Sequence, residues 1–183
     1  MNVLNTIFIL TIAFVAVFVE SSFGTLRRVL SVQVDLLPGL IVYASLSSGI
    51  ITITLLAVLG GLWFDSLSAN LLGVSILPLF VIGFLVRQFR HLILRDQTYA
   101  QMVLGFSASA FVPLFTVIIL FTCGEEPLIG WGSLWQWFVM TLIGGLLVPL
   151  YFALFDKVYR TLGYEPEVQI SFRQDREIER GRQ

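Results

Sequence analysis

The stretch GLWFDSLSANLLG, residues 61–73, decides how the chain is read. An apolar run stops at Asp65. Small polar residues follow, and a second apolar run begins after Gly73. A carboxylate at the centre of a bilayer costs at least a few kcal/mol, and most of that cost vanishes at a helix end in headgroups or water. The simplest reading makes Asp65 the mark where one membrane helix ends. Ser66, Ser68 and Asn70 would bond the backbone groups left open there or cap the next helix. Gly73 would let the chain turn at little steric cost. A sharper reading buries Asp65 between helices or pairs it with a cation, for which Arg27 and Arg28 are candidates.

The surroundings call for a lipid solvent. Of 183 residues, 57% are hydrophobic and only 13% are charged, against about a quarter charged in soluble domains. Mean hydropathy is +0.89. So few charges cannot cover a water-facing surface. Formal net charge is −1, and no basic stripe with interleaved aromatics points to nucleic acid.

Charges divide the apolar runs. The first span is expected over Leu4–Val19. It has no Lys or Arg before it, and Glu20 stands where a signal-peptide cleavage region would lie, so a retained span is the reading. The connector 21–35 carries Arg27 and Arg28. Residues 36–64 hold no charge. As one helix they would extend about 43 Å at 1.5 Å per residue, across a hydrocarbon core of roughly 30 Å. Ser45, Ser47, Ser48 and Gly49 sit mid-run, and a turn there would split it into two short helices; one long tilted helix is the alternative. A fourth span is expected over Val74–Val86. The basic loop RQFRHLILRD (87–96) follows. The fifth span runs over Tyr99–Phe121, with Pro113 as a kink point, and the sixth over Trp131–Phe155. A transmembrane domain thus covers 1–156. The tail 157–183 carries both signs of charge and is expected to be cytoplasmic and partly disordered.

Lys and Arg set orientation. With both termini in the cytoplasm, Arg87, Arg90, Arg95, Lys157 and Arg160 lie inside, while Asp65, Glu125 and Glu126 lie outside. Arg27 and Arg28 run against the rule. Trp131, Trp135 and Trp137 fit an interfacial aromatic belt. Small residues spaced four apart let helix backbones approach: Ser45 with Gly49, Ala57 with Gly61, Gly105 with Ser109, and Gly144–Gly145 to similar effect.

Catalytic chemistry is sparse. No HExxH or P-loop motif occurs, no nucleophile–base set is evident, and no cofactor or metal is called for. The single histidine, His91, reads as part of the basic loop. Cys123, the single cysteine, reads as a small filler at a span end.

The segment VDLLPGLIVYASL, then LLAVLGGLWFDSLSANLLGVSILPLFVIGFLV, resembles the rod shape-determining protein MreD family. The pattern is a Gly-rich third span ending in Asp, a short Ser/Gly hairpin, and Leu-Gly opening the fourth. Asp65, Ser68, Leu72 and Gly73 match it, and the basic loop and Pro149 also resemble the family. Ala69 departs from it, since many relatives have glycine there, and the tail after Tyr164 has no counterpart. The resemblance implies an all-α integral membrane protein: a six-helix transmembrane bundle like the substrate-binding components of energy-coupling-factor transporters. It implies a non-catalytic inner-membrane scaffold of the bacterial elongation machinery. The direct partner would be MreC, a single-span protein. RodA, a class B penicillin-binding protein and, indirectly, MreB would complete the assembly, with membrane lipid around it. The rival reading is a vitamin-capture subunit holding a small molecule near Trp131 and Trp135.

Overall fold

The computed structural model describes residues 3–22, 35–68, 71–90, 97–125 and 130–161. These form six α-helices and, among the described residues, no strand: α1 Val3–Ser22, α2 Leu37–Ser47, α3 Ile50–Leu67, α4 Ile76–Phe89, α5 Thr98–Thr122 and α6 Trp131–Thr161. Four of them, α1, α3, α5 and α6, are long and apolar enough to cross a membrane. The other two are short. The 11 residues of α2 reach about 16 Å, and the 14 of α4 about 21 Å, so neither crosses a 30 Å core alone.

The uncharged run 36–64 is divided, and the break falls at Ser48–Gly49. Both residues are extended, and the Ser48 N–H closes the end of α2 on the Ala44 carbonyl. Several bounds differ from the sequence reading: α1 runs on to Ser22, α3 to Leu67 and α4 to Phe89. Val74 and Ser75 belong to a turn, so α4 starts later. At the other end α6 continues through Asp156 to Thr161, so the first residues of the expected tail extend the last helix.

The short α2 is the hub. Every residue from Leu37 to Leu46 is buried, and α2 touches all five other helices. Its sequence, LPGLIVYASLS, is apolar on every side, as suits a helix with no solvent-facing stripe. Around it run α1, α3, α4, α5 and α6, each against the next. Between α1 and α6 the circle is bridged by aromatic rings. Phe8 meets Phe155 edge-on at 5.4 Å, and Tyr43 of α2 stacks on Phe155 at 4.0 Å.

One end of the bundle is tied by polar bonds. Asn5 donates to the Ser48 hydroxyl, Tyr159 donates to Asn5, and Thr6 bonds Thr52 at 2.8 Å. Arg87 donates to the Ser48 carbonyl at 2.6 Å, a cation at the C-terminal end of α2 where the helix dipole favours it. The N-terminus of α1 and the basic ends of α4 and α6 therefore share one end. The outward surface is apolar along whole helices: Val3, Ile7, Phe14 and Phe18 on α1, and Leu142, Leu146, Leu150 and Leu154 on α6 are exposed. Stripes of this length belong against lipid or other membrane helices.

Candidate functional site: the aspartate turn between α3 and α4

Asp65 lies in the last turn of α3 and is 1% exposed. The expectation of a carboxylate released into headgroups or water is therefore corrected: it is inside the protein. A buried carboxylate must have its lone pairs occupied. Here three donors do so. Gly73 N–H reaches Oδ2 at 2.8 Å, Ser75 N–H reaches Oδ2 at 3.1 Å, and the Ser75 hydroxyl reaches Oδ1 at 2.5 Å. All three come from the turn that leads into α4, whose first N–H groups have no partner within the helix. Asp65 thus closes the α3–α4 hairpin from the far side, with its charge near the positive end of the α4 dipole.

The donors are set by local sequence. Gly73 has φ +91°, the left-handed region that side chains with a Cβ seldom enter. That conformation aims its N–H at Asp65. Gly61 lets α3 meet the start of α4, because a Cβ there would come within 3.1 Å of the Ile76 backbone. Ser68 ends α3: its N–H donates to the Phe64 carbonyl at 3.0 Å, and its hydroxyl reaches toward the Asp65 carbonyl at 3.5 Å. Ser66 bonds the Trp63 carbonyl at 2.9 Å. Leu72 is the first residue of the turn, with its side chain 71% exposed. So the structure joins Asp65 to Gly73 through a direct bond, keeps Ser68 beside them as the helix stop, and turns the Leu72 side chain outward. The partners of Asp65 among the described residues are neutral donors. The expected pairing with Arg27 or Arg28, like the capping role given to Asn70, falls outside the described residues. So do His91, Arg95 and Glu126.

A second carboxylate stands nearby that the sequence reading treated only as the end of a connector. Asp35 is 8% exposed, and its Oδ1 accepts the Leu37 N–H at 2.9 Å. That bond satisfies an open donor at the start of α2, and Pro38 in the first turn suits a helix start. The signal was available: Asp-Leu-Leu-Pro ahead of an uncharged run is a helix-start signature. Tyr151 of α6 donates to the Leu36 carbonyl at 3.2 Å. Asp35 opens α2 and Asp65 closes α3, and the two helices join at their other ends, at Ser48–Gly49. Both carboxylates therefore brace helix ends on the side of the bundle opposite the Asn5–Arg87 cluster.

Trp131 and Trp135 are 89% and 56% exposed at the start of α6. Trp137 instead turns inward to α5 and donates its ring N–H to the Ala110 carbonyl at 2.9 Å. Cys123 lies at the end of α5, as expected, but is exposed and not packed as a filler. The Gly105–Ser109 and Gly144–Gly145 pairs meet each other: a Cβ on Gly105 would stand 2.5 Å from the Gly144 carbonyl oxygen, and one on Gly144 would overlap the Ser109 side chain. With this geometry in hand, comparison with protein-family models, curated proteins and solved structures finds no match for the chain.

Proposed function

We propose that this protein is a non-catalytic scaffold of the bacterial inner membrane, of the MreD type, working in cell elongation by binding an MreC-like single-span protein. One observation carries the reading. Asp65 and Gly73, two residues of the motif that resembles that family, bond directly to each other and hold the α3–α4 hairpin. In this reading the motif is architectural: it fixes the helices whose outer faces a partner meets. The long apolar stripes of α1 and α6 supply surface for such contact. In lipid, helix association depends on close packing and interhelical hydrogen bonds, so a rigid bundle with shaped faces is what a scaffold needs.

The same reading places both termini in the cytoplasm. Arg87 and Arg90 end α4, and Lys157 and Arg160 end α6, at the end of the bundle that holds Asn5. Glu125 follows α5 at the other end. Positive charge gathered at one end accords with a cytoplasmic face there.

Co-expression with an MreC-like protein, detergent extraction and affinity purification test the proposal. The expected result is recovery of the two chains together, with Asp65→Ala reducing recovery by weakening the hairpin. Failure to co-purify, together with saturable binding of a vitamin by the isolated chain, would replace the scaffold with the substrate-capture reading.

A further inference from the structure

The C-terminal half of α6 carries a surface that the bundle does not use. At 3.6 residues per turn, Leu142, Leu146, Leu150, Ala153, Lys157 and Arg160 fall within about 80° of one another around the helix. All six are exposed. One narrow stripe is therefore apolar for most of its length and ends in two cations. From Leu146 to Lys157 it extends about 16 Å at 1.5 Å per residue, close to half of a 30 Å hydrocarbon core. That is the depth of one leaflet, with leucines where an acyl chain runs and cations where the headgroup lies.

Those cations are not taken up by the fold. Arg87, at the same end of the bundle, turns inward and donates to the Ser48 carbonyl. The Lys157 and Arg160 side chains make no hydrogen bond or ion pair among the described residues. Beside them opens a cleft whose α6 wall is Ala153, Asp156, Lys157, Arg160 and Thr161. A guanidinium holds a phosphate through two parallel N–H donors, and an ammonium adds a compact charge with three donors. Ala153, one turn before Lys157, brings only a methyl group and leaves room for the glycerol end of a lipid. Asp156 lies on the same wall, about 40° outside the stripe, and opposes an anion there. Two cations against one carboxylate still leave the wall positive.

We propose that this face of α6 binds one anionic phospholipid, its phosphate held by Lys157 and Arg160 and a chain lying along Ala153, Leu150 and Leu146. A zwitterionic lipid fits less well, because its ammonium would stand against the same two cations. The site follows from the helix lying in a membrane and does not depend on the scaffold reading. A lipid held here leaves the α1 face for a protein partner.

Native mass spectrometry of the full chain, released from detergent with dioleoyl phosphatidylglycerol or dioleoyl phosphatidylethanolamine added, tests this. The expected result is one retained phosphatidylglycerol, bound about tenfold more tightly than phosphatidylethanolamine. Replacing Lys157 and Arg160 together with Gln is expected to remove that preference. Ala153→Phe, which fills the cleft and changes no charge, should weaken binding as well. Asp156→Asn should tighten it. All four positions are exposed, so unfolding midpoints in detergent are expected to stay the same. Arg90→Gln removes an exposed cation from the end of α4 and should leave binding unchanged. Equal retention of the two lipids overturns the site, as does full binding by the double Gln variant. A loss in Arg90→Gln as large as in that variant would mean charge spread over the whole end, and also overturns it. Weaker binding in Asp156→Asn would assign the carboxylate to a headgroup ammonium and reject the anionic lipid. Displacement of the lipid by equimolar glycerol phosphate would reduce the site to a phosphate site with no place for a chain.

Discussion

At the scale of the residue, the Asp65 carboxyl is buried and bonded three times. Removing a partner from a buried donor costs about 1–3 kcal/mol, with bonds to charged groups at the upper end. Asp65→Ala leaves three donors without an acceptor and is expected to lower the unfolding midpoint in detergent more than any other single change in the turn. Asp65→Asn can place its amide oxygen where Oδ2 accepts both N–H groups and donate its NH2 to the Ser75 hydroxyl, which also accepts. It is expected to insert normally and to lose about 1 kcal/mol or less. A midpoint unchanged in Asp65→Ala would show that the three bonds contribute little. Gly73→Ala tests the backbone separately. An L-residue in the left-handed region costs about 1–2 kcal/mol, so this variant should be destabilised even though its Cβ has room, with Ile76 no closer than 3.8 Å.

At the scale of the element, α5 and α6 meet closely at glycines that receive side chains of the facing helix: the Phe106 ring lies against Gly145, Val148 against Gly105 and Ser109 against Gly144. A methyl group on Gly144 would overlap the Ser109 hydroxyl and Cβ, whereas the next neighbour, the Gly105 carbonyl oxygen, is at an ordinary 3.4 Å. Gly144→Ala is therefore expected to force the helices apart, at a cost of about 1–3 kcal/mol as overpacking commonly brings. Adding Ser109→Gly should recover most of that loss, because it removes the atoms in the way. Thermal unfolding of the two single variants and the double variant forms a cycle. Additive effects would contradict the contact. The sequence foretold this meeting in part. Four-residue spacing marked Gly105–Ser109 and Gly144–Gly145 as contact faces, but spacing names no partner, since any small pair can receive any other. The division of 36–64 was legible for a firmer reason: a helix of that length overshoots the bilayer, and the serines and glycine stood at its middle. What stayed hidden was the rank of the two halves. Nothing in LPGLIVYASLS says that it forms the centre of the bundle, because in lipid an apolar helix is equally at home facing lipid or protein. The simplest reading of Asp65 fails for a similar reason, whereas the sharper one, which buries it between helices, agrees with its 1% exposure. A charge near a helix end satisfies the bilayer by leaving it, and only the three-dimensional turn reveals donors eight and ten residues later.

At the scale of the whole molecule, the bundle is fastened at both ends by polar bonds and is apolar along its sides. One end holds Asn5, Thr6, Ser48, Thr52, Arg87 and Tyr159, and the other holds Asp35, Asp65, Ser75 and Tyr151. The two ends should face opposite compartments. Cysteines at Arg90 and Glu125, in a Cys123→Ser background, are expected to react with membrane-impermeant reagents from opposite sides of sealed vesicles; labelling from one side would reject the topology. The central claim is that the lateral helical faces meet another membrane protein. Photo-crosslinking in cells tests it most directly, with a photoreactive amino acid at Phe14 and Phe18 of α1 and at Leu146 and Leu150 of α6, all of them exposed. The account predicts a discrete protein adduct from one of these faces, containing a single-span polypeptide, that disappears when Asp65→Ala loosens the bundle. Adducts to lipid alone at every position would contradict it.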